Sequence, residues 1–263
     1  MFAMRFFIFV LVLISLTLPV MASTEEADGA HHFSQALKFY QAGETAEAIV
    51  ALNKATLDRR FSLADYARFE AANLYFQQQQ YQAAAEAYRS ISANYPQSIL
   101  QARANLLEAK SEYVLINYRQ AIRTVQRLLD NYPEAKEAAE ARYLSAAGYL
   151  ALKDWREAYQ AYADTDLYYP LTTFGKQSRL AMRQLEKKYR KSLPRLKVTA
   201  QALFKKGMLY FEQADFDLAA NIFSRLAREF PKSKYVSEAW LMLGRAEMQT
   251  SRYPFAISDL ARA

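Results

Sequence analysis

Residues 207–231 read GMLYFEQADFDLAANIFSRLAREFP, and this stretch decides the fold. Its landmarks are a small residue at Gly207, an aromatic residue at Phe216, an Ala three positions later at Ala219 and a proline at Pro231. Apolar residues recur three, four and seven apart in both halves of the stretch, which predicts two amphipathic helices, A and B. Because the residue before a proline is pushed out of the helical region, helix B should end just before Pro231.

The same landmarks recur along the chain with a period of 37 residues. The aromatic position is occupied, with spacings of 37, 37, 61 and 37, by Tyr81, Tyr118, Trp155, Phe216 and Tyr253. A weaker copy surrounds Thr45, with Arg60 where the proline should be, as is common for a terminal repeat that caps a stack. One helix pair cannot bury its apolar face alone. We therefore predict an all-α, right-handed superhelical solenoid of helix-turn-helix repeats, with repeats 1–4 in residues 33–170 and repeats 5–6 in residues 200–263.

The pattern resembles the tetratricopeptide (TPR) repeat. Gly207, Tyr210, Ala219, Phe223 and Pro231 carry the family's pattern in full, although the period is 37 rather than 34 residues. The longer unit, with a Tyr-Pro-x-Ser end, is similar to repeats of bacterial envelope proteins. In such solenoids the concave groove is lined by helix A. The resemblance therefore implies groove-binding side chains at Tyr66, Asn73, Gln77, Arg103, Lys110, Tyr143, Met208 and Arg245.

The first 22 residues have the features of a secretory signal peptide. Arg5 precedes an apolar run from Phe6 to Val20, and Val20-Met21-Ala22 fits a small-x-small cleavage pattern. We expect cleavage before Ser23, although an uncleaved membrane anchor is the alternative for so long an apolar run. Residues 23–32 should form a disordered leader. The expected location is the periplasm of a Gram-negative bacterium, after secretion across the inner membrane.

A basic insertion interrupts the repeats at residues 171–199. Eleven Lys or Arg and one acid lie between Leu171 and Lys206, a charge of +10, so the rest of the chain carries −3 of the net +7. We predict a helix over residues 176–191 that packs by one side on the solenoid. Its cations either form a solvated face or bind an anionic partner such as peptidoglycan, lipid head groups or an acidic protein. This candidate basic patch comprises Lys176, Arg179, Arg183, Lys187, Lys188, Arg190 and Lys191.

The sequence contains no recognisable catalytic apparatus. It has no Cys, no Gly-rich phosphate loop and no nucleophile elbow, and its two His residues, His31 and His32, are adjacent in the leader without ligand-spaced carboxylates. We therefore expect no catalytic residue, no metal and no cofactor. Nucleic acid is not expected as a partner, because no base-reading motif is present. Most of the abundant aromatic residues occupy core positions of the repeat and are explained by packing.

Two functions fit these features. The first is a non-catalytic periplasmic scaffold that binds an envelope protein or peptide in its groove. It resembles the outer-membrane assembly lipoprotein of this repeat type, although the lipid-bearing Cys of that family is missing here. The second is the scaffold part of a longer enzyme, because the chain also resembles the N-terminal repeats of soluble lytic murein transglycosylases. That family's Glu-Ser and Gly-Leu-Met-Gln strings do not occur. Since the sixth repeat stops at Ala263, before its expected proline, we expect the repeats to be truncated.

Overall fold

The structure, a computed structural model, describes residues 24–58, 60–189 and 192–263, with side chains from Asp28 onward. The described residues form thirteen α-helices and no strand, which confirms the predicted all-α class. The helices are α1 (Thr24–Gln41), α2 (Thr45–Ala55), α3 (Ala64–Gln77), α4 (Tyr81–Asn94), α5 (Gln101–Val114), α6 (Tyr118–Asn131), α7 (Ala138–Ala151), α8 (Trp155–Tyr168), α9 (Thr173–Tyr189), α10 (Ala200–Glu212), α11 (Phe216–Glu229), α12 (Val236–Gln249) and α13 (Tyr253–Leu260). The predicted signal peptide, residues 1–22, lies outside the described residues.

The chain divides into two compact units, and the first comprises residues up to Gln78. In it, α1 packs on α2 and α2 packs on α3, around a core that includes Phe33, Leu52 and Phe69. The leader expected to be disordered is instead helical from Thr24. Its described part is held by the rest of the unit, because Gly29 is buried and its amide nitrogen donates to Oδ2 of Asp58 at 3.2 Å.

The second unit comprises residues 79–263 and contains the remaining helices. Helices A and B pack as the pairs α5–α6, α7–α8, α10–α11 and α12–α13, and helix B also packs on the next helix A in α4–α5, α6–α7 and α11–α12. Small residues make the A–B contact: Ala109, Ala121, Ala146 and Ala158 are all fully or almost fully buried. The contact at Gly207 is tighter still, since a Cβ there would lie 2.6 Å from Cε1 of Phe223.

A residue in the left-handed backbone region ends the loop between helices A and B in every copy. Gln79, Ile116, Lys153, Ala214 and Ser251 have φ between 58° and 64°, and each stands two positions before the aromatic residue that begins helix B. In the first, weaker copy the same place is taken by Gly43, with φ 81°. The loop geometry therefore repeats even where the side chain is not the glycine that such a backbone favours.

Helix B ends in the way that its proline requires. The residues before the prolines are the C-caps, and their backbones have left the helical region, with φ near −130° at Tyr95, Tyr169 and Phe230. The serines that follow the prolines act in the turn before the next helix. Oγ of Ser98 accepts from the amide of Leu100, and Oγ of Ser233 accepts from that of Tyr235, so they hold the turn before helices α5 and α12 rather than capping those helices.

The insertion consists of helix α9 and, in its described part, a stretch without helix over residues 192–199. Helix α9 packs on α8 and α7, with Leu185 buried among Ala158, Tyr159 and Tyr162. The following stretch returns along α8, where the side chain of Gln160 bonds both the amide nitrogen (2.9 Å) and the carbonyl oxygen (3.2 Å) of Lys197.

Helix α9 continues the 37-residue count as an extra helix A. Three positions that are buried in both α5 and α7 are also buried in α9, at the regular interval of 37 residues. These equivalent positions are Gln101, Ala138 and Gly175, then Ala104, Ala141 and Ser178, then Ser111, Gly148 and Leu185. No helix B follows before α10 begins at Ala200. The insertion is therefore a half-repeat.

Candidate binding groove and basic helix

In the first unit, the three predicted groove residues lie along α3. Gln77 is exposed at the end of the helix, while Tyr66 and Asn73 are half-buried. Nδ2 of Asn73 donates to Oε2 of Glu70 at 3.1 Å. Burial raises the pKa of Tyr66, and the neighbouring Asp65 adds to the rise, so the phenol stays neutral at physiological pH and can donate a hydrogen bond.

In the second unit, Arg103 and Lys110 line one cleft. It has a volume of about 310 Å³ and is also lined by Leu106, Leu107, Lys136, Glu137 and Glu140, from α5 and from the start of α7. Nζ of Lys110 lies 2.6 Å from Oε1 of Glu140, and both side chains are about one-third exposed. The cleft therefore presents three cations and two carboxylates beside leucine side chains, where two successive A helices meet.

The remaining predicted groove residues differ in how much surface they present. The half-buried Tyr143 packs against the rings of Tyr162 (5.5 Å between centroids) and Phe174 (5.6 Å). Met208 is half-buried against the core of α10–α12. Arg245 is exposed, and its Nη1 lies 3.9 Å from Sδ of Met242. Tyr143 and Met208 thus serve packing as much as binding.

Tyrosines gather beside the cleft, between α5 and α9. The ring of Tyr113 lies 5.0 Å from that of Tyr118, and the buried Tyr162 contacts Tyr143. Burial raises the pKa of Tyr162 to about 12, and the nearby phenols of Tyr143 and Tyr113 contribute to the rise. Burial also raises the pKa of Tyr113, so Tyr113 and Tyr162 keep their protons at physiological pH.

The predicted basic patch is only partly available for binding. Nη1 of Arg179 donates to Oδ1 of Asp166 and to the hydroxyl of Tyr210, so this cation ties α9 to α8 and α10. The same carboxylate accepts from Nζ of the buried Lys206 at 2.5 Å. Lys176, Arg183, Lys187 and Lys188 are exposed, whereas Arg190 and Lys191 lie outside the described residues. The one acid of the region, Glu186, accepts from the hydroxyl of Tyr159 at 2.7 Å.

The sequence did not reveal a buried ion network in the second unit. Glu108 is fully buried on α5, and its carboxylate accepts from Nε of Arg89 at 2.9 Å and from Nη2 of Arg127 at 2.5 Å. Nη2 of Arg89 also bonds Glu112 at 2.6 Å. Two arginines of successive B helices are thus joined through one helix A. The one available signal was a Glu directly before the small residue of helix A, at a position that is apolar in two other repeats, as Ala71 and Leu243.

A second cleft, of about 360 Å³, lies between α6, α7 and α8 and is closed by the stretch around Arg195. Its walls carry both charges, with Arg142, Arg156, Glu157 and Asp164 among the lining residues. Burial raises the pKa of Asp164, against the opposing effects of its hydrogen bond from Gln160 and of Arg142. Sequence reasoning missed this cleft because it depends on the returning stretch of the insertion.

Among the described residues, no cluster of three or more His, Asp or Glu side chains could hold a metal ion. Nor does any described helix have the length and apolar character that a membrane crossing would need.

Two family profiles match the chain. Residues 64–190, just under half of the sequence, match the YfiO family of outer membrane lipoproteins, and residues 201–233 match a tetratricopeptide repeat. Together with the helix pairs described above, these matches define the class: the chain is a TPR-type helical repeat protein. A search of curated proteins finds no match.

Solved structures support the same fold. A tetratricopeptide repeat protein from Parabacteroides merdae ATCC 43184 is 14% identical, with 90% of this chain and 92% of that chain covered and a TM-score of 0.50. The apo form of RapI is 11% identical, with 88% and 94% covered and a TM-score of 0.50. At such low identity these similarities concern the fold alone. The comparisons give no support to the expected resemblance to lytic transglycosylases.

Proposed function

We propose that the chain is a non-catalytic scaffold of the cell envelope that binds a protein or peptide through its A-helix surface. The observation that carries the proposal is the cleft between α5 and α7, where predicted groove residues meet with unlike charges beside the half-buried Leu107. Repeat proteins use extended surfaces of stacked helices to bind partners, and a cleft between two A helices is a site of that kind.

The chemistry of the cleft favours a peptide that carries a carboxylate. Lys110 is held by Glu140, and Arg103 and Lys136 line the same space, so a ligand carboxylate would find cations on both sides. Leu107 offers apolar contact for a neighbouring side chain. An anionic ligand group would compete with Glu140 for Lys110, and this exchange costs little because both side chains are partly exposed to water.

The proposed location is the periplasm of a Gram-negative bacterium. The signal-like residues 1–22 and the similarity of residues 64–190 to outer membrane lipoproteins support it. Fusion of residues 1–22 to a reporter that is active only outside the cytoplasm tests secretion across the inner membrane. The second function weighed from the sequence, the scaffold part of a peptidoglycan-cleaving enzyme, lacks a specific observation in its favour.

In this proposal the basic helix α9 is a second binding surface, separate from the groove cleft. Its exposed cations suit an anionic partner, and by charge alone peptidoglycan, an anionic lipid surface and an acidic protein all fit.

The groove is tested with a library of random octapeptides that end in a free carboxylate, screened against the immobilised protein alongside the same library with amidated ends. We expect carboxylate-bearing peptides to be selected. The double variant Arg103→Glu, Lys110→Glu should weaken their binding about tenfold or more, because it reverses two of the three cations.

The matched control is Arg119→Glu, Lys205→Glu, which makes the same change in net charge at two exposed positions outside the cleft. It should bind the selected peptides like the wild type. Equal weakening by both double variants, or the selection of no peptide at all, would refute the groove as the binding site.

A further inference from the structure

The face of α9 that would meet a helix B is cationic instead of apolar. In α5 this face packs on α6 through Leu106, Ala109 and Tyr113, and the ring of Tyr113 contacts that of Tyr118. In α7 it packs on α8 through Tyr143 and Ala146. The residues 37 positions further on, in α9, are Leu180, Arg183 and Lys187, and Lys176 lies one turn before Leu180 on the same side. All four side chains are exposed.

Nothing among the described residues covers this face. Helix α9 packs on α7 and α8 only by its opposite side, and the return stretch places Leu193 and Leu196 in the cluster around Tyr159 and Leu185. Within the described part of the chain, no side-chain hydrogen bond or ion pair involves Lys176, Arg183 or Lys187. The helix-B place beside α9 is therefore open, and it is lined by three cations.

The shape of the row indicates a linear occupant. Lys176 and Lys187 are eleven residues apart, so the three cations span about 16 Å along one side of the helix, with Leu180 between them. A second helix of three turns has the same length and presents side chains at the same three- and four-residue spacings. It would lie farther from α9 than a normal helix B, because long basic side chains replace the alanines of the regular contact.

A lipid surface fits these observations less well. A helix that inserts into a membrane interface turns a broad apolar face outward. In α9 the apolar side chains Met182, Leu185 and Tyr189 pack on the protein, and only Leu180, 58% exposed, lies on the outer face.

We propose that α9 docks an acidic amphipathic helix of a partner protein in the vacant helix-B place, with carboxylates of the partner facing Lys176, Arg183 and Lys187. The inference rests on the proposed scaffold function but uses a surface other than the groove cleft. The region's acid, Glu186, accepts from the hydroxyl of Tyr159 on α8 and forms no ion pair with the three cations. The selectivity for an acidic helix comes from the excess of positive charge on the α9 face.

The test uses an alanine-based helical peptide with one Leu and three Glu in a single row, at the spacings of the α9 cations. A second peptide of identical composition has its Glu residues spread around the helix. We expect the wild-type protein to bind the row peptide about tenfold more tightly than the spread peptide, because only the row places its carboxylates opposite all three cations. Fluorescence anisotropy of labelled peptides measures both affinities.

Charge reversal makes the test specific. The triple variant Lys176→Glu, Arg183→Glu, Lys187→Glu should lose the row peptide and bind a matching Lys-row peptide instead. The control triple Arg119→Glu, Lys205→Glu, Lys232→Glu changes the net charge equally at other exposed positions and should keep the wild-type preference. All these substitutions are on the surface, and circular dichroism verifies that each variant is folded.

The result that overturns the proposal is equal binding of the row and spread peptides, or no binding of either. If wild type instead sediments with phosphatidylglycerol vesicles or with purified peptidoglycan, and the triple variant does not, the partner is a lipid surface or the cell wall. The groove variant Arg103→Glu, Lys110→Glu should leave the affinity for the row peptide unchanged, so a failure of the groove proposal is distinguishable from a failure of this one.

Discussion

At the residue scale, the loops between helices A and B hold side chains in a backbone conformation that costs free energy. Ile116 is the strongest case, because it is β-branched, 71% exposed and has φ of 64°. The repeat tolerates this cost because the turn must deliver Tyr118 to the start of helix B. Gly43 occupies the equivalent position in the first copy without that penalty.

Ile116→Gly should stabilise the α5–α6 pair by about 0.5–1 kcal/mol, since relief of the left-handed strain outweighs the greater flexibility of glycine in the unfolded chain. The reciprocal change, Gly43→Ala, should cost about 1 kcal/mol at α1–α2, because a Cβ there has open space and meets only the backbone strain. Native-state hydrogen exchange of the two helix pairs measures both effects. If both substitutions raised the free energy of unfolding, or both lowered it, the strain argument would be contradicted.

The sequence predicted the repeat residues well and the polar partners poorly. The aromatic residues that begin each B helix, the small residues of the A–B contact and the proline ends follow from local patterns, and the structure has them where the spacing requires. Glu108 was missed because its partners Arg89 and Arg127 are 19 residues away on either side, and no local pattern reveals such a contact. Arg179 was placed in a free basic patch for the same reason, since Asp166 and Tyr210 reach it from other helices.

At the element scale, the last helix pair carries two acids close together. Glu247 on α12 and Asp259 on α13 are both largely buried. Burial raises the pKa of Glu247 above its ordinary value of 4.5, and the neighbouring Asp259 carboxylate raises it further, although Arg252 opposes the shift. Glu247 therefore binds a proton more readily in the folded chain than in the unfolded chain.

This shift has a definite sign for stability. Because the pKa of Glu247 is higher in the folded than in the unfolded state, the α12–α13 pair should become more stable as the pH falls from neutral through the folded pKa towards 4.5, and should lose that stability as the pH rises. Glu247→Gln should flatten this dependence. Hydrogen exchange of α12–α13 between pH 4.5 and pH 7, corrected for the intrinsic exchange rate, measures it, and a wild type that gains stability with rising pH in this range would contradict the assignment.

The sequence also predicted the basic helix, but not its role as a half-repeat. Periodicity located a helix at residues 176–191, and the structure has it at Thr173–Tyr189. Its equivalence to a helix A became visible only from the pattern of burial, because Gly175, Ser178 and Leu185 differ in residue type from their counterparts in α5 and α7. The leader, residues 23–32, was assigned to disorder from its polar composition, whereas Gly29 is buried in the first unit.

At the scale of the whole molecule, the second unit is held together by contacts between neighbouring helices. The packed pairs join each helix to the next one or two along the chain. Stability in such a protein is the sum of local terms, and a change in one repeat should remain local. The network around Glu108 joins α4, α5 and α6 and is suited to test this.

Glu108→Gln should lower the stability of α4–α6 by about 2 kcal/mol, because the buried side chain loses charge-assisted hydrogen bonds while the partly exposed arginines regain water. Hydrogen exchange should quicken in these helices and stay unchanged in α10–α13. Glu229→Gln, which breaks the exposed pair with Arg225, is the control and should cost less than about 0.5 kcal/mol. Faster exchange throughout residues 79–263 would show that the unit unfolds as one.

The half-repeat also bears on how such a chain gains and loses surfaces. The aromatic positions Trp155 and Phe216 are 61 residues apart, which exceeds one period by 24. Removing 24 residues from the insertion would restore an unbroken count, with Gly207 following Ala146 at the regular interval. The cationic surface is thus genetically separable from the rest of the solenoid. A single deletion would remove it, and a single insertion would be enough to add it, without a sequence change in any other repeat.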